Sequence, residues 1–196
     1  MNDHKGFFAM MARMKYIERW ALMRNSVSEN ICEHSLEVAM LAHGLGIIGR
    51  KRFGKDLSPE RLAMLGMYHD CTEIITGDMP TPVKYANDEL KEAYKAIEDS
   101  AAHRLLEMLP EDLRAEYESY FLPGQITPEE YRYVKAADKL SALIKCIEEE
   151  KTGNQEFRSA KQATYESLQQ MNMPEVTVFC EAFLPEYYKT LDELEH

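Results

Sequence analysis

His69 and Asp70 stand side by side in Gly66-Met67-Tyr68-His69-Asp70-Cys71-Thr72-Glu73, placing an imidazole and a carboxylate together with a second carboxylate three residues on. Such groups hold divalent cations or move protons. Upstream, Leu62, Leu65, Gly66 and His69 fall at i, i+3, i+4 and i+7, so a helical apolar stripe carries His69 inward. An inward histidine beside an acid is either a satisfied core group or a metal ligand, and the pair alone does not decide. His34 supplies a second inward imidazole, since Val38, Leu41, Leu45 and Ile48 follow it on one stripe. Asp138 lies beside the stripe of Val134, Ala137, Leu140, Ser141 and Ile144, where an unpaired carboxylate is costly. Two His and two Asp on three helices make a four-ligand set of nitrogen and oxygen donors that Mn, Fe, Co, Ni or Zn accepts. With 35 residues between His34 and His69 and 68 between Asp70 and Asp138, such a site exists only in the folded chain.

The order His34…His69-Asp70…Asp138 resembles the H…HD…D signature of the HD-domain phosphohydrolase superfamily, in which these four residues bind a catalytic metal. Longer blocks are similar to the bacterial YfbR-type 5'-deoxynucleotidases. They are Glu18-Arg19-Trp20-Ala21-Leu22-Met23-Arg24, Ser28-Glu29-Asn30…Glu33-His34-Ser35-Leu36, and Tyr68-His69-Asp70…Glu73-Ile74-Ile75-Thr76-Gly77-Asp78-Met79-Pro80-Thr81-Pro82-Val83-Lys84-Tyr85. The similarity runs over nearly the whole chain. It implies a deoxyribonucleoside 5'-monophosphate as substrate, a divalent metal ion (Co, Mn or another transition metal) as cofactor, and a homodimer. It also implies a catalytic role for Glu73 and nucleotide contacts from Asp78, Met79, Pro80 and Thr81.

Elementary chemistry supports parts of this. A divalent ion polarises a phosphoryl oxygen and activates water near neutral pH. Glu73, three residues after Asp70, is one helical turn along, where it can orient or deprotonate that water. Otherwise it is a solvated helical carboxylate. Arg19 can grip phosphate in bidentate fashion. Trp20, the single tryptophan, is a core or lid aromatic on its own evidence; beside the sugar it would exclude a 2'-hydroxyl. Two alternatives stay open: an HD hydrolase of another nucleotide (dNTP, cyclic dinucleotide or alarmone), and a nucleotide-binding regulator without turnover.

Composition narrows the field further. The 196 residues suit one domain with one core, spanning 1–196. A net charge of -11 argues against a nucleic-acid surface or an anionic membrane. Phosphate must then be attracted locally. Cys32, Cys71, Cys146 and Cys180 form no CxxC and read as reduced, mostly buried thiols in helices of a cytoplasmic protein. Cys32 and Cys71 flank the candidate ligands, with thiolate ligation the lesser reading. No basic-then-apolar leader and no 18-residue apolar run is evident. Leu194-Glu195-His196 reads as a native end or the start of a purification tag, so His196 is excluded from the site.

The elements that must position these groups are all helical. Phe7, Phe8, Met11, Met14 and Ile17 predict a first helix running up to Arg19-Trp20. Ser26 to Asn30 caps the His34 helix, which is expected to end around Gly44 to Gly49, with Lys51 to Asp56 a basic loop. Ser58-Pro59 starts the helix that delivers His69 and Asp70. Thr76 to Lys84, with two prolines and a glycine, predicts an ordered loop. Helices through Leu90 to Met108 and on to Phe121 follow. Thr127-Pro128-Glu129-Glu130 is a capping box launching the Asp138 helix to about Glu150. Phe157 to Met171 is another helix, and Pro174 and Pro185 punctuate the last short ones. The fold class is all-α.

Overall fold

Side-chain caps set where the two longest helices begin. The computed structural model describes residues 5–84 and 86–195; Tyr85 and His196 lie outside the described residues. Helix α1 is Phe7–Met11, continued by a 3-10 turn at Ala12–Tyr16. Helix α2, Ile31–Phe53, starts at Asn30, whose side chain accepts from the Cys32 and Glu33 amides in a reciprocal capping box. Helix α3, Pro59–Tyr68, has Ser58 as N-cap and proline at its first position. Short helices α4, Glu73–Thr76, and α5, Thr81–Lys84, lead to α6, Asp88–Leu106, and α7, Glu111–Phe121. Thr127 closes a second capping box for α8, Pro128–Lys151. Helices α9, Arg158–Gln170, α10, Pro174–Ala182, and α11, Leu191–Leu194, complete the chain. Among the described residues no strand forms, only an isolated antiparallel bridge between Glu18 and Asn30.

Several expectations are corrected. Helix α2 runs past Gly44, Gly46 and Gly49 to Phe53, where Gly54 takes the left-handed conformation (φ 64°) of a helix stop. Of these, Gly46 and Gly49 are packing positions, whereas a Cβ on Gly44 would meet nothing within 4 Å. A Cβ on Gly46 would meet Leu62 Cδ1 at 2.8 Å, and one on Gly49 would meet the Tyr133 hydroxyl at 2.7 Å. The first helix stops well short of Arg19, because Ile17 to Arg19 turns extended to pair with Glu29 to Ile31. Thr81–Lys84 is a helical turn rather than loop. Cys32 faces solvent and Cys71 sits buried in the turn after α3. Helix α2 is long and apolar enough to span a membrane by composition. Its Val38, Ala42 and Leu45 are instead fully buried in the core.

Instead of one core, the buried side chains form two clusters. The first joins α2, α3, α8, α9 and α10 through Val38, Leu62, Tyr133, Leu140, Leu168 and Phe179. The second joins Phe7, Met14, Ile31, Cys71, Leu105 and Phe121. His34 falls on α2 between Ile31 of one cluster and Val38 of the other, so the polar site occupies the seam. Across that seam α3 touches α2 backbone to backbone, since a Cβ on Gly66 would lie 3.0 Å from Ala39 Cα and 3.1 Å from Val38 C. Gly66→Ala is therefore expected to cost about 1–3 kcal/mol of stability, the usual penalty of overpacking, read by denaturant unfolding. Unchanged stability would mean that the helix spacing is set elsewhere.

Candidate active site

Three elements bring the four candidate ligands together. His34 lies on the first turn of α2 and is fully buried. His69 caps the end of α3. Asp70 follows in the turn, and Asp138 projects from α8. His34 Nε2 lies 3.4 Å from Asp70 Oδ2 and 3.3 Å from Asp138 Oδ1. His69 Nε2 lies 3.1 Å and 4.0 Å from the same two oxygens. Donor atoms of His34, His69 and Asp70 all fall within 4.8 Å of one another. Both Nε2 atoms are buried without a hydrogen-bond partner, an arrangement that is costly unless a cation takes the lone pairs. The sequence-predicted ligands therefore converge, and the donor set suits a divalent transition metal.

Three of the four candidate ligands are held from behind. His69 Nδ1 lies 2.7 Å from the Gly66 carbonyl. His34 Nδ1 lies 2.9 Å from Ser141 Oγ, which donates to Glu37 Oε2 at 2.5 Å. Lys135 Nζ donates to Asp138 Oδ2 at 2.9 Å, leaving Oδ1 toward the histidines. Burial alone would raise both aspartates. The nearby imidazoles of His69 and His34 hold Asp70 well below the usual carboxylate range. Lys135, then His34 and His69, does the same for Asp138. Burial and the charge of Arg19 work against a charged His34 as well, yet the nearby carboxylates of Asp138 and Asp70 keep it above its ordinary value.

Glu73 begins α4, its amide donating to the Asp70 carbonyl at 2.9 Å, so a tight turn rather than continued helix relates the two. It is buried, one carboxylate oxygen has no hydrogen-bond partner, and burial, then the charges of Asp70 and Asp78, push its carboxyl up to about 10. It is no solvated helical acid. Arg19, nearly buried, pairs with Glu29 Oε2 at 2.5 Å and lies in the field of Asp70, Asp138 and Asp78. Trp20 has a left-handed backbone (φ 60°). Its Nε1 donates to the same Glu29 oxygen at 2.9 Å, and its ring meets Phe157 at 5.2 Å. This strap is tied to α8 by Glu149, which accepts from the Ser26 amide at 2.8 Å and Asn154 Nδ2 at 2.8 Å, and also from Lys145.

Asp78 joins the site: Arg19 offsets part of the rise that burial imposes on its carboxyl. Met79 and Pro80 are half-buried and Thr81 is exposed at the start of α5. No hydrogen bond among the described residues ties these three to the ligand cluster. Neither Cys32 nor Cys71 belongs to the donor group. Sequence reasoning missed Glu29, Glu37 and Lys135 and took Ser141 as plain core. The spacings of Glu37 after His34 and Lys135 before Asp138, three residues each, were the available signals.

Comparison with known proteins gives matches in both sequence and fold. The model of a family described as "5'-deoxynucleotidase YfbR-like" matches residues 6–187. A 5'-deoxynucleotidase of Vibrio atlanticus is 48% identical over 188 residues, 96% of this chain and 97% of that protein. In fold, the chain is similar to an HD-domain phosphohydrolase from Listeria innocua, with TM-score 0.80, 22% identity, and coverage of 96% of this chain and 91% of that one. It is also similar to the cyanophage S-2L HD phosphohydrolase bound to dA and one catalytic Zn2+ ion, with TM-score 0.65, 23% identity, and coverage of 93% and 96%.

Proposed function

This chain belongs to the YfbR-like 5'-deoxynucleotidase family, and from that premise we propose how its own side chains perform the hydrolysis. The protein is a metal-dependent 5'-deoxynucleotidase that converts deoxyribonucleoside 5'-monophosphates to deoxyribonucleosides and phosphate. The observation that carries the residue assignment is the convergence of two unpartnered imidazole nitrogens on two carboxylate oxygens.

His34, His69, Asp70 and Asp138 would hold the divalent ion, which would supply Lewis-acid polarisation of the phosphoryl group and a lowered pKa for the attacking water. Lys135 neutralises Asp138 and keeps its outer oxygen occupied. Arg19 sets a guanidinium on the phosphate side, its orientation fixed by Glu29. Glu73, buried with a free carboxylate oxygen, holds or accepts the proton that moves between water and the departing sugar oxygen. Trp20 and Asp78 to Thr81 surround the sugar. The donor set accepts Co, Mn or Zn, the last being the ion in the cyanophage neighbour. We further propose a cytoplasmic homodimer acting on small nucleotides rather than nucleic-acid polymers or membranes, in keeping with the net charge of -11 and with exposed Leu36 and Met40 on α2. The whole chain serves as one catalytic domain.

Phosphate release from deoxy- and ribonucleoside mono-, di- and triphosphates, after chelation and after readdition of each metal, tests the reading. Metal-dependent release from deoxy monophosphates is expected. Release without metal, or from triphosphates alone, overturns it. Trp20→Ala gives a finer check. A rigid ring excludes a 2'-hydroxyl better than a merely apolar pocket, which rejects one only about 10²-fold, so Trp20→Ala should narrow the deoxy-to-ribo ratio of kcat/KM with little effect of base identity. An unchanged ratio for dAMP against AMP and dTMP against UMP moves the discrimination to another residue.

A further inference from the structure

Behind His34 lies a chain of hydrogen bonds that ligand geometry alone does not require. Ser141 carries a single hydroxyl hydrogen, and it is shared between two neighbours: His34 Nδ1 at 2.9 Å and Glu37 Oε2 at 2.5 Å. A carboxylate only accepts, whereas an imidazole nitrogen donates or accepts according to tautomer. The hydrogen must therefore point at Glu37. Turned the other way, it would leave two oxygens with only lone pairs facing each other at 2.5 Å. Ser141 then accepts, so His34 Nδ1 carries the proton and Nε2 presents its lone pair toward Asp70 and Asp138. Water cannot substitute, because His34 and Ser141 are both fully buried.

Glu37 makes little sense as a stabilising residue. It is half-buried, that burial and then the carboxylates of Glu29 and Glu148 raise its carboxyl against the hydrogen bond from Ser141, and that bond is the one its side chain makes among the described residues. We infer that Glu37, acting through Ser141, is a positioning residue that fixes His34 as an Nε2 donor to the divalent cation. The two histidines are thus fixed by different means. His69 has its tautomer set by a backbone carbonyl, which no side-chain substitution removes. His34 depends on two side chains, from α2 and α8, meeting across the core. Outer partners of this kind orient the ring and raise its basicity as a ligand.

The inference rests on the metal assignment above, and the test separates the two. Zinc is the probe, because it is diamagnetic. Its affinity for the full chain is measured by chelator competition in the parent, Glu37→Gln, Ser141→Ala and His34→Ala, alongside the His34 Nδ1–H proton resonance of each zinc-loaded protein that binds. A glutamine at position 37 keeps the shape but can donate to Ser141 and reverse the relay. Glu37→Gln and Ser141→Ala should each weaken zinc binding about 10- to 100-fold, the usual effect of losing such a partner. The Nδ1–H resonance should move upfield in Glu37→Gln where the bond to Ser141 weakens, or be lost where the relay reverses, neither of which a purely structural role would cause. If Ser141→Ala does not fold, the half-exposed Glu37 position decides. Parent-like affinity and an unmoved resonance in Glu37→Gln, with zinc lost in His34→Ala, overturn the relay alone. Parent-like zinc binding in His34→Ala overturns the metal assignment itself.

Discussion

Asp138→Ala and His69→Ala proteins should come out of metal analysis empty and release no phosphate above background, a loss exceeding the roughly 10²- to 10⁴-fold that removal of a general acid or base costs. The reasoning is geometric. Asp138 Oδ1, contributed by α8, lies 3.3 Å from His34 Nε2 and 4.0 Å from His69 Nε2. Without it three donors remain on α2, α3 and the following turn, open on one side. Lys135 would also lose its partner, placing an uncompensated ammonium beside a site meant for a cation. His69→Ala removes a donor whose backbone-held ring cannot be replaced by its neighbours. Full metal occupancy together with parental turnover in either variant would remove the four-ligand assignment.

Glu73→Gln should fall by about 10²- to 10⁴-fold in kcat, the range for a positioned acid or base, while metal content and nucleotide affinity stay close to the parent. A second readout has the opposite sign. A buried acid pushed from 4.5 up to about 10 favours its protonated form in the folded state, so its ionisation costs stability increasingly as pH rises above 4.5. Chelated Glu73→Gln should therefore melt no lower than chelated parent at pH 8, and higher if the carboxyl is as strained as its orphaned oxygen indicates. A variant that loses activity only because it is misfolded would melt lower. Turnover within about threefold of the parent, far short of the acid–base range, would assign the proton to another group.

What could be read from the chain alone was whatever a helical period makes expensive. His34, His69 and Asp138 stood out because each interrupts or borders an apolar stripe, and burial of such groups demands a partner. The boundaries of α3 and α8 were legible from Ser58-Pro59 and Thr127-Pro128-Glu129-Glu130, whose capping chemistry is local. The glycines of α2 misled. Gly46 and Gly49 look like a helix end, but their lack of Cβ lets Leu62 and Tyr133 approach, a tertiary fact that outweighs propensity. The unwinding at Ile17 to Arg19 has a similar origin, in pairing with Glu29 to Ile31. The Glu37–Ser141–His34 relay spans more than 100 residues and has no local sequence signature beyond its placement near a candidate ligand.

Glu149 gives the molecule a response to acid. Burial would raise its carboxyl, yet hydrogen bonds from Lys145, Asn154 and Ser26 hold it at about 2, below the ordinary 4.5. Folding stability from such a group is whole above pH 4.5 and drains away as the pH falls toward 2. The segment it fastens is the strap of Arg19 and Trp20, bound through the Ser26 and Val27 amides to the helix that bears Asp138. Protonation of that one carboxylate thus weakens the fastening of the Arg19–Trp20 strap to the helix that bears Asp138, leaving the bonds from Lys145 to the Val27 carbonyl and from Asn154 to the Arg24 carbonyl to carry it, a response to acid at a point remote from every candidate ligand.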